Sequence, residues 1–432
     1  VWFLQLFQQP HVELKIGDFL KRPQLFISVE EAQNRLLRVL NERVSLSTEH
    51  VHIVNSLGRV ASELIRAPIS RPRTNLSAVD GYAVRSLDTT GASIFTPIEL
   101  IVKGVLKPGE DPGKMCIEPG YAIRVHTGAP VPCGADAIIM DEDVKIQGST
   151  ILVQRSVAPG SNIIFRGEDI NEGDIIVKPG LLLQPAHIAA LASLGINVVH
   201  VYRKIKVSLI AVGDELIEPG YSLNYGKEFN SSTYIVYAQL VRDSIFQVRY
   251  TGIVSDDVET ILATIKSEFE RGSDIIITTG GTGVGETDKV SELSGKHSSF
   301  IFRGIKMRPG RMTSASLIYG KPVIHLSGFP VAAWAGYELI LRPAIAKWIG
   351  IEGFERPVVY AYLSRRVPNI SGYTSIIRVT LTIKNGEYYA EPYMLRGSGV
   401  ISSLLKTHGY IVIPENTEGF EEGEKVPVYL YR

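Results

Sequence analysis

Asp274-Ile275-Ile276-Ile277-Thr278-Thr279-Gly280-Gly281-Thr282-Gly283-Val284-Gly285-Glu286-Thr287-Asp288 is the stretch on which the fold turns. It begins as a β-branched run of strand length and breaks into a glycine-rich turn followed by residues that start helices. A turn of this kind, entering a helix, lets backbone N–H groups converge on a phosphate, with the helix dipole adding positive character. Gly280, Gly281, Gly283 and Gly285 are therefore candidates for holding an anionic substrate. The same residues read equally well as a tight turn whose Thr287 or Asp288 caps the next helix. Two better-known phosphate loops are excluded by spacing. Gly280 to Thr287 has the length of a Walker A loop, but Glu286 occupies the lysine position and would repel a triphosphate. The glycines run G-x-G-x-G rather than G-x-G-x-x-G, which disfavours a dinucleotide fold.

Working outward, the rhythm on either side of this turn alternates. Strand Val207 to Val212, helix Ser231 to Arg242, strand Val248 to Ile253 and helix Asp257 to Arg271 precede it. Apolar strands separated by helices of about 10–15 residues imply right-handed crossovers and a doubly wound, mostly parallel sheet over residues 204–350. Open sheets of this type bind ligands beyond the carboxyl ends of their strands, so the residues just after each strand are the ones to weigh. They include Gly213-Asp214-Glu215, Asp256-Asp257 and Asp288. Carboxylates beside an anion site repel the anion unless a cation lies between them, and Mg2+ is the natural mediator, held by one or two carboxylates plus waters and phosphate oxygens. Glu215, Asp256 and Asp288 are the candidate ligands. Asp256 reads alternatively as the cap of the helix beginning at Asp257, and Glu215 as a solvated loop charge. Further on, Lys306, Arg308 and Arg311 surround Pro309-Gly310 and offer cations to an anion, or form a plain solvated turn. Leu326-Ser327-Gly328-Phe329-Pro330 then leads into a helix of Trp334 to Trp348.

The flanking regions differ in character. Ser28 and Glu31 have capping-box spacing ahead of Ala32, Leu36, Val39 and Leu40, an amphipathic helix. From 57 to 169 short β-branched runs alternate with Pro-Gly pairs at 108–109, 119–120 and 159–160, which reads as a β-rich domain inserted into a linking α/β domain formed by 1–56 and 170–203. Residues 351–432 are β again, with a hairpin signal at Asn385-Gly386. The expectation is a multidomain α/β plus β protein of four parts, consistent with 432 residues at roughly 100–200 per domain.

Composition narrows the class. Forty-five basic and forty-five acidic residues cancel, so no global field draws the chain onto nucleic acid or a membrane. No stretch approaches the ~20 apolar residues needed to span a bilayer, and Val1 to Phe7 lacks the basic flank of a signal peptide. Cys116 and Cys133 cannot build a disulfide framework or a four-thiolate site, and their scarcity fits a reducing, cytoplasmic setting. The nine histidines show no HExxH or paired-ligand spacing, His50 and His52 included, and there is no G-x-S-x-G elbow. The first twenty-odd residues read as an added arm or a dimer-swapping segment.

Several motifs occur in one order: Ser77-Ala78-Val79-Asp80-Gly81-Tyr82-Ala83, His126-Thr127-Gly128-Ala129-Pro130-Val131-Pro132, Arg166-Gly167-Glu168-Asp169-Ile170, Gly213-Asp214-Glu215, the Gly280 turn and Pro309-Gly310. In this order the chain resembles the molybdopterin molybdenumtransferase family (MoeA, and the E domain of gephyrin) from about residue 28 to its end. The resemblance implies an elongated four-domain homodimer with a MoaB/Mog-like α/β domain. Its active cleft would lie between that domain and the β-rich insertion of the partner subunit. It implies adenylylated molybdopterin and molybdate as substrates, Mg2+ as cofactor, and molybdate-dependent cleavage of the pterin–AMP anhydride. An adenylyltransferase partner would supply the pterin. By motif position Asp80, Asp288, Asp256 and Glu215 would be catalytic, and Thr127, Asp169, Arg308, Ser327, Pro330, Arg378 and Ser398 would bind substrate together with the glycines of the turn.

The chain departs from that pattern in two places. Ser327-Gly328-Phe329-Pro330 stands where the family commonly reads Pro-Gly-x-Pro, so Ser327 loses a fixed φ and gains a hydroxyl. Thr282-Gly283-Val284 replaces a valine-serine pair and resembles the adenylyltransferase domain instead. The competing readings are that adenylyltransferase step itself, read out as ATP consumed with pterin before molybdate is added, and a gephyrin-like binding scaffold.

Overall fold

In the computed structural model the described residues are 26–281, 298–393 and 397–431. The expectations for the N-terminal arm and for Thr282, Gly283, Val284, Gly285, Glu286, Thr287 and Asp288 lie outside them. Among the described residues no helix is long and apolar enough to cross a membrane.

The strand read from the opening stretch runs Ile275–Thr279 and lies inside a six-stranded sheet, parallel to Ile205–Val212 on one side and to Lys321–Leu326 on the other. Phe246–Val254 adds a fourth parallel strand at one edge, while Ser314–Ile318 and Ser298–Arg303 extend the opposite side antiparallel. Alternation along each strand sends side chains to both faces. Leu209, Ile277 and Ile324 join the larger core, and Ile210, Ile276 and Val323 join a second core beneath the helix Val258–Glu270. A sheet buried on both faces is what near-continuous apolar strands require. Because Ile205–Val212 connects toward one edge and Ile275–Thr279 lies on its other side, the topological switch point falls between their carboxyl ends, beside Gly213 and Gly280.

Chain order and packing diverge at the first helix, Val29–Arg43, which the sequence groups with the linking domain. Ser28 caps it by accepting from Glu31 N–H at 3.1 Å, but Glu31 turns to Arg35 (2.7 Å) rather than closing a capping box. Its apolar face, Ala32, Leu36 and Leu40, packs into the larger core of the α/β sheet together with Ile340, Leu341 and Ile345. The stripe read from the sequence names the face correctly; only packing shows what covers it. The helix expected over Trp334 to Trp348 begins earlier and is interrupted. Pro330–Gly336 passes through a π-helical turn, Tyr337–Leu341, into Arg342–Ile349.

The linking domain is small, built on the antiparallel pair Thr48–His52 with Val198–Tyr202 and the helix Pro185–Ser193 around Ala61, Val177, Leu183, Leu191 and Val199. From it the chain passes through a narrow neck, where Arg71 N–H donates to the Ile170 carbonyl (2.7 Å) and Ile170 N–H donates back to the Arg71 carbonyl (3.1 Å). Beyond the neck lies a six-stranded β-rich sheet in which Gly81–Val84 lies between the edge strand Ala137–Met140 and Tyr121–Val125. Gly109, Gly120 and Gly160, the second residues of the three Pro-Gly pairs, all adopt positive φ. The cysteines correct an expectation. Cys116 and Cys133, 17 residues apart, are disulfide-bonded with Cα atoms 4.6 Å apart, a single bridge that the sequence reading did not anticipate. Sequence shows the count but not the proximity.

In the C-terminal domain Thr374–Lys384 and Glu387–Pro392 form the hairpin signalled by Asn385-Gly386, which take φ values of 51° and 82°. Two positive φ values in a two-residue loop match the right-handed twist of the flanking strands, and Asn-Gly tolerates them best.

Candidate functional site

Three groups of sequence-predicted residues assemble; the first and third adjoin, a Cβ on Gly328 standing 3.4 Å from Gly280 Cα, and the second lies on the β-rich domain. The first lies at the switch point. Gly213 N–H donates to the Val254 carbonyl (3.2 Å) and Asp256 N–H donates to Asp214 Oδ1 (3.2 Å), which sets the loop of Glu215 beside that of Asp256. Gly280 N–H donates to the Leu326 carbonyl (3.1 Å). A Cβ on Gly280 would stand 2.1 Å from the Val212 carbonyl oxygen, so the backbones approach there as only glycine allows. One on Gly281 would stand 3.7 Å from Asp256 Oδ1, which brings the start of the glycine turn to that carboxylate. The cap of the following helix is Asp257, not Asp256. Asp257 Oδ1 accepts from Thr260 N–H at 2.8 Å, and Ser255 Oγ donates to Oδ2 at 2.6 Å. These hydrogen bonds, Ser255 first and then Thr260, draw the Asp257 carboxyl down to about 2. Capping is done by Asp257, so the cap reading of Asp256 does not hold.

The second group is centred on Asp80, at the start of strand Gly81–Val84. A Cβ on Gly81 would fall 2.0 Å from the Ile139 carbonyl oxygen, so the motif's glycine lets two strands meet where Asp80 leaves the sheet. Asp80 Oδ1 accepts from the Thr127 backbone N–H and contacts His126 Nδ1, both at 3.1 Å, while Thr127 Oγ1 donates to Oδ2 at 3.2 Å. The Thr127 backbone bond first, then His126 and the Thr127 hydroxyl, hold this exposed carboxyl below its ordinary range. Thr127→Val removes one of these donors and is expected to raise the Asp80 pKa, read by a carbon-13 NMR titration; an unmoved titration would show that the hydroxyl does not hold the carboxylate. Asp169 sits apart, at the neck, paired with Arg71 at 3.3 Å.

The third group surrounds the start of the helix Pro330–Gly336. Ser327 Oγ accepts from Phe329 N–H (3.2 Å), so its hydroxyl braces the turn by a side-chain bond. The Ser398 carbonyl accepts from Val331 N–H (3.0 Å), bringing the C-terminal domain onto the same turn. The Pro309-Gly310 turn abuts this helix too, since a Cβ on Gly310 would stand 3.2 Å from the Ala332 carbonyl oxygen. Arg308, just before it, is exposed. Arg378 turns inward. It is buried, its Nε donates to Ser403 Oγ (3.2 Å), and burial draws its guanidinium below its ordinary value while Tyr431 and Tyr393 act the other way.

Sequence reasoning passed over His126, although it stands next to Thr127 in a quoted motif, and over Thr233, whose hydroxyl meets that of Thr279 at 2.5 Å behind the glycine turn. It also set aside His50, which the sheet brings against His200, 150 residues away, with their ring nitrogens 3.2 Å apart. Only the first of these had a signal in the sequence.

Residues 27–195 match the family described as the MoeA N-terminal region (domain I and II), 208–347 match a probable molybdopterin binding domain, and 360–431 match the MoeA C-terminal region (domain IV). A putative molybdopterin biosynthesis protein of Methanocaldococcus jannaschii is 37% identical over 392 residues, 89% of this chain and 92% of that protein. A molybdopterin molybdenumtransferase of Staphylococcus epidermidis is 32% identical over 94% of this chain and 95% of its own. The crystal structure of the molybdopterin biosynthesis MoeA protein from Pyrococcus horikoshii superposes with a TM-score of 0.79 at 33% identity, over 94% of this chain and 100% of that one.

Proposed function

Because the chain belongs to the MoeA family of molybdopterin molybdenumtransferases, we propose that it inserts molybdenum, supplied as molybdate, into adenylylated molybdopterin with release of AMP. The observation that carries this reading is the convergence of Gly280 and Gly281 with the Glu215 and Asp256 loops at the switch point of the sheet. A glycine turn there accepts a phosphate through backbone N–H groups, and flanking carboxylates make sense only with a cation between them and that phosphate.

Mg2+ suits this donor set. Among the described residues no group of three or more His, Cys, Asp or Glu side chains encloses a metal ion, but Mg2+ takes as few as one or two carboxylates and completes its shell with water and phosphate oxygens. Glu215 and Asp256 would hold it, with Asp288 as the third ligand in this proposal. Bound there, it would neutralise the anhydride charge. Asp256→Asn is expected to raise the Mg2+ concentration for half-maximal activity about 10-fold or more with the molybdate requirement unmoved. A Mg2+ titration checks this, and equal requirements would remove Asp256 from the ligand set.

The remaining parts follow from the same reading. Thr127, Arg308 and Ser398 offer donors of the kind a tetrahedral dianion needs. The Asp80 group and the strand-end group come together across a homodimer, the β-rich domain of one subunit facing the α/β domain of its partner. A separate adenylyltransferase supplies the pterin nucleotide, and the reaction is cytoplasmic. The test supplies purified chain with adenylylated molybdopterin and Mg2+, adds molybdate or tungstate, and follows AMP together with reconstitution of a cofactor-free molybdoenzyme. Oxyanion-dependent AMP release is expected. ATP consumption with pterin before any oxyanion is added would overturn the reading in favour of the adenylylation step.

A further inference from the structure

Asp80 and His126 face each other because of strand register. Gly81 pairs with Val125 in the antiparallel ladder, so the residues one step beyond, Asp80 and His126, leave the sheet side by side, and His126 Nδ1 lies 3.1 Å from Asp80 Oδ1. An ionised carboxylate can only accept, so this contact fixes the proton on Nδ1 whether the imidazole is neutral or charged. Nε2 is the atom left to gain or lose a proton. The carboxylate is itself anchored by two further donors from Thr127, so the ring is held by a braced partner rather than a mobile one. A carboxylate on one imidazole nitrogen, stabilising the cation that forms when the other nitrogen takes a proton, is an arrangement suited to general base work.

We propose that His126 is the proton acceptor for AMP release, taking at Nε2 the proton of the water that attacks the anhydride, with Asp80 as its positioning residue. The inference rests on the insertase reading and adds a residue and an atom to it. In the step, the water oxygen bonds to one phosphorus and the bond from that phosphorus to the bridging oxygen breaks. The electron pair leaves on the departing phosphate, one water proton passes to Nε2, and solvent later removes it. No oxidant or reductant is consumed.

The experiment uses the full chain with adenylylated molybdopterin, Mg2+ and molybdate, and measures AMP release alongside binding of the adenylylated pterin. Two variants separate proton transfer from positioning. His126→Asn keeps an N–H to donate to Asp80 but carries no base; His126→Ala removes both and leaves a space for added imidazole. Both are expected to lose about 100-fold in AMP release with binding unchanged. Imidazole is expected to restore the alanine variant and not the asparagine one. Wild-type rates in His126→Asn, or no response of His126→Ala to imidazole, would overturn the proposal and leave the insertase reading standing. Absence of molybdate-dependent AMP release from the unsubstituted chain would instead overturn both.

Discussion

Asp80→Ala is expected to lower molybdate-dependent AMP release by about 100-fold or more while leaving the chain folded and able to bind adenylylated molybdopterin. Asp80 is exposed, and its contacts are made to it by donors that water can satisfy once it is gone, so thermal unfolding is expected to match that of the unsubstituted chain. The acid side of the activity profile carries a second expectation. The three donors hold the Asp80 carboxyl below its ordinary value, so its ionised form persists as pH falls through the ordinary carboxylate range and is lost only below that lowered value. In Thr127→Val the loss comes earlier, at higher pH. A fully active, folded Asp80→Ala protein would remove the β-rich domain from the chemistry.

Asp243→Ala is expected to cost the fold about 3–5 kcal/mol, measured by urea or thermal unfolding. Asp243 is buried and accepts from Tyr337 Oη (2.6 Å), Arg342 Nε (2.9 Å) and Arg356 Nη1 (3.0 Å). Beside it the buried Glu338 accepts from Arg356 (2.7 Å), Arg242 (3.0 Å) and Gln239 (3.1 Å). Burial alone would lower the Arg356 guanidinium, but Glu338 and Asp243 outweigh it and raise it. Three guanidinium groups thus share two carboxylates, and removing Asp243 leaves the buried Arg342 without its carboxylate and Arg356 with Glu338 alone. Arg356 lies two residues before the C-terminal strand Val358–Leu363, so the loss falls on the joint between the α/β and C-terminal domains. A cost below about 1 kcal/mol, the scale of an exposed pair, would show that water reaches the cluster.

Much of this was legible beforehand where a local rule applies. Period-2 and period-3.6 patterns located the strands and helices between Ile205 and Thr279 but not the antiparallel strands Ser298–Arg303 and Ser314–Ile318, and Asn385-Gly386 named its own turn, because each depends on neighbours in sequence. The strand-end rule grouped Glu215 with Asp256, and the motifs named Asp80 and Thr127 without showing that the two meet. What escaped was decided at long range. Nothing local to Ala32, Leu36 and Leu40 says which core receives them, and Cys116 meets Cys133 only because the sheet returns the chain there. Arg378, expected as a substrate contact, lies on strand Thr374–Lys384 with its Nε donating to Ser403 Oγ, a packing that no local rule gives. Asp256 and Asp257 were inseparable as caps until the backbone fixed which one accepts from Thr260.

The neck at Arg71 and Ile170 has a mechanical consequence. The β-rich domain hangs from the rest of the chain by two adjoining segments, so a rotation there swings it like a paddle. Asp80, His126 and Thr127 all lie on the blade, braced by one another. Their mutual distances survive any such swing, because every bond among them lies on the blade's side of the neck.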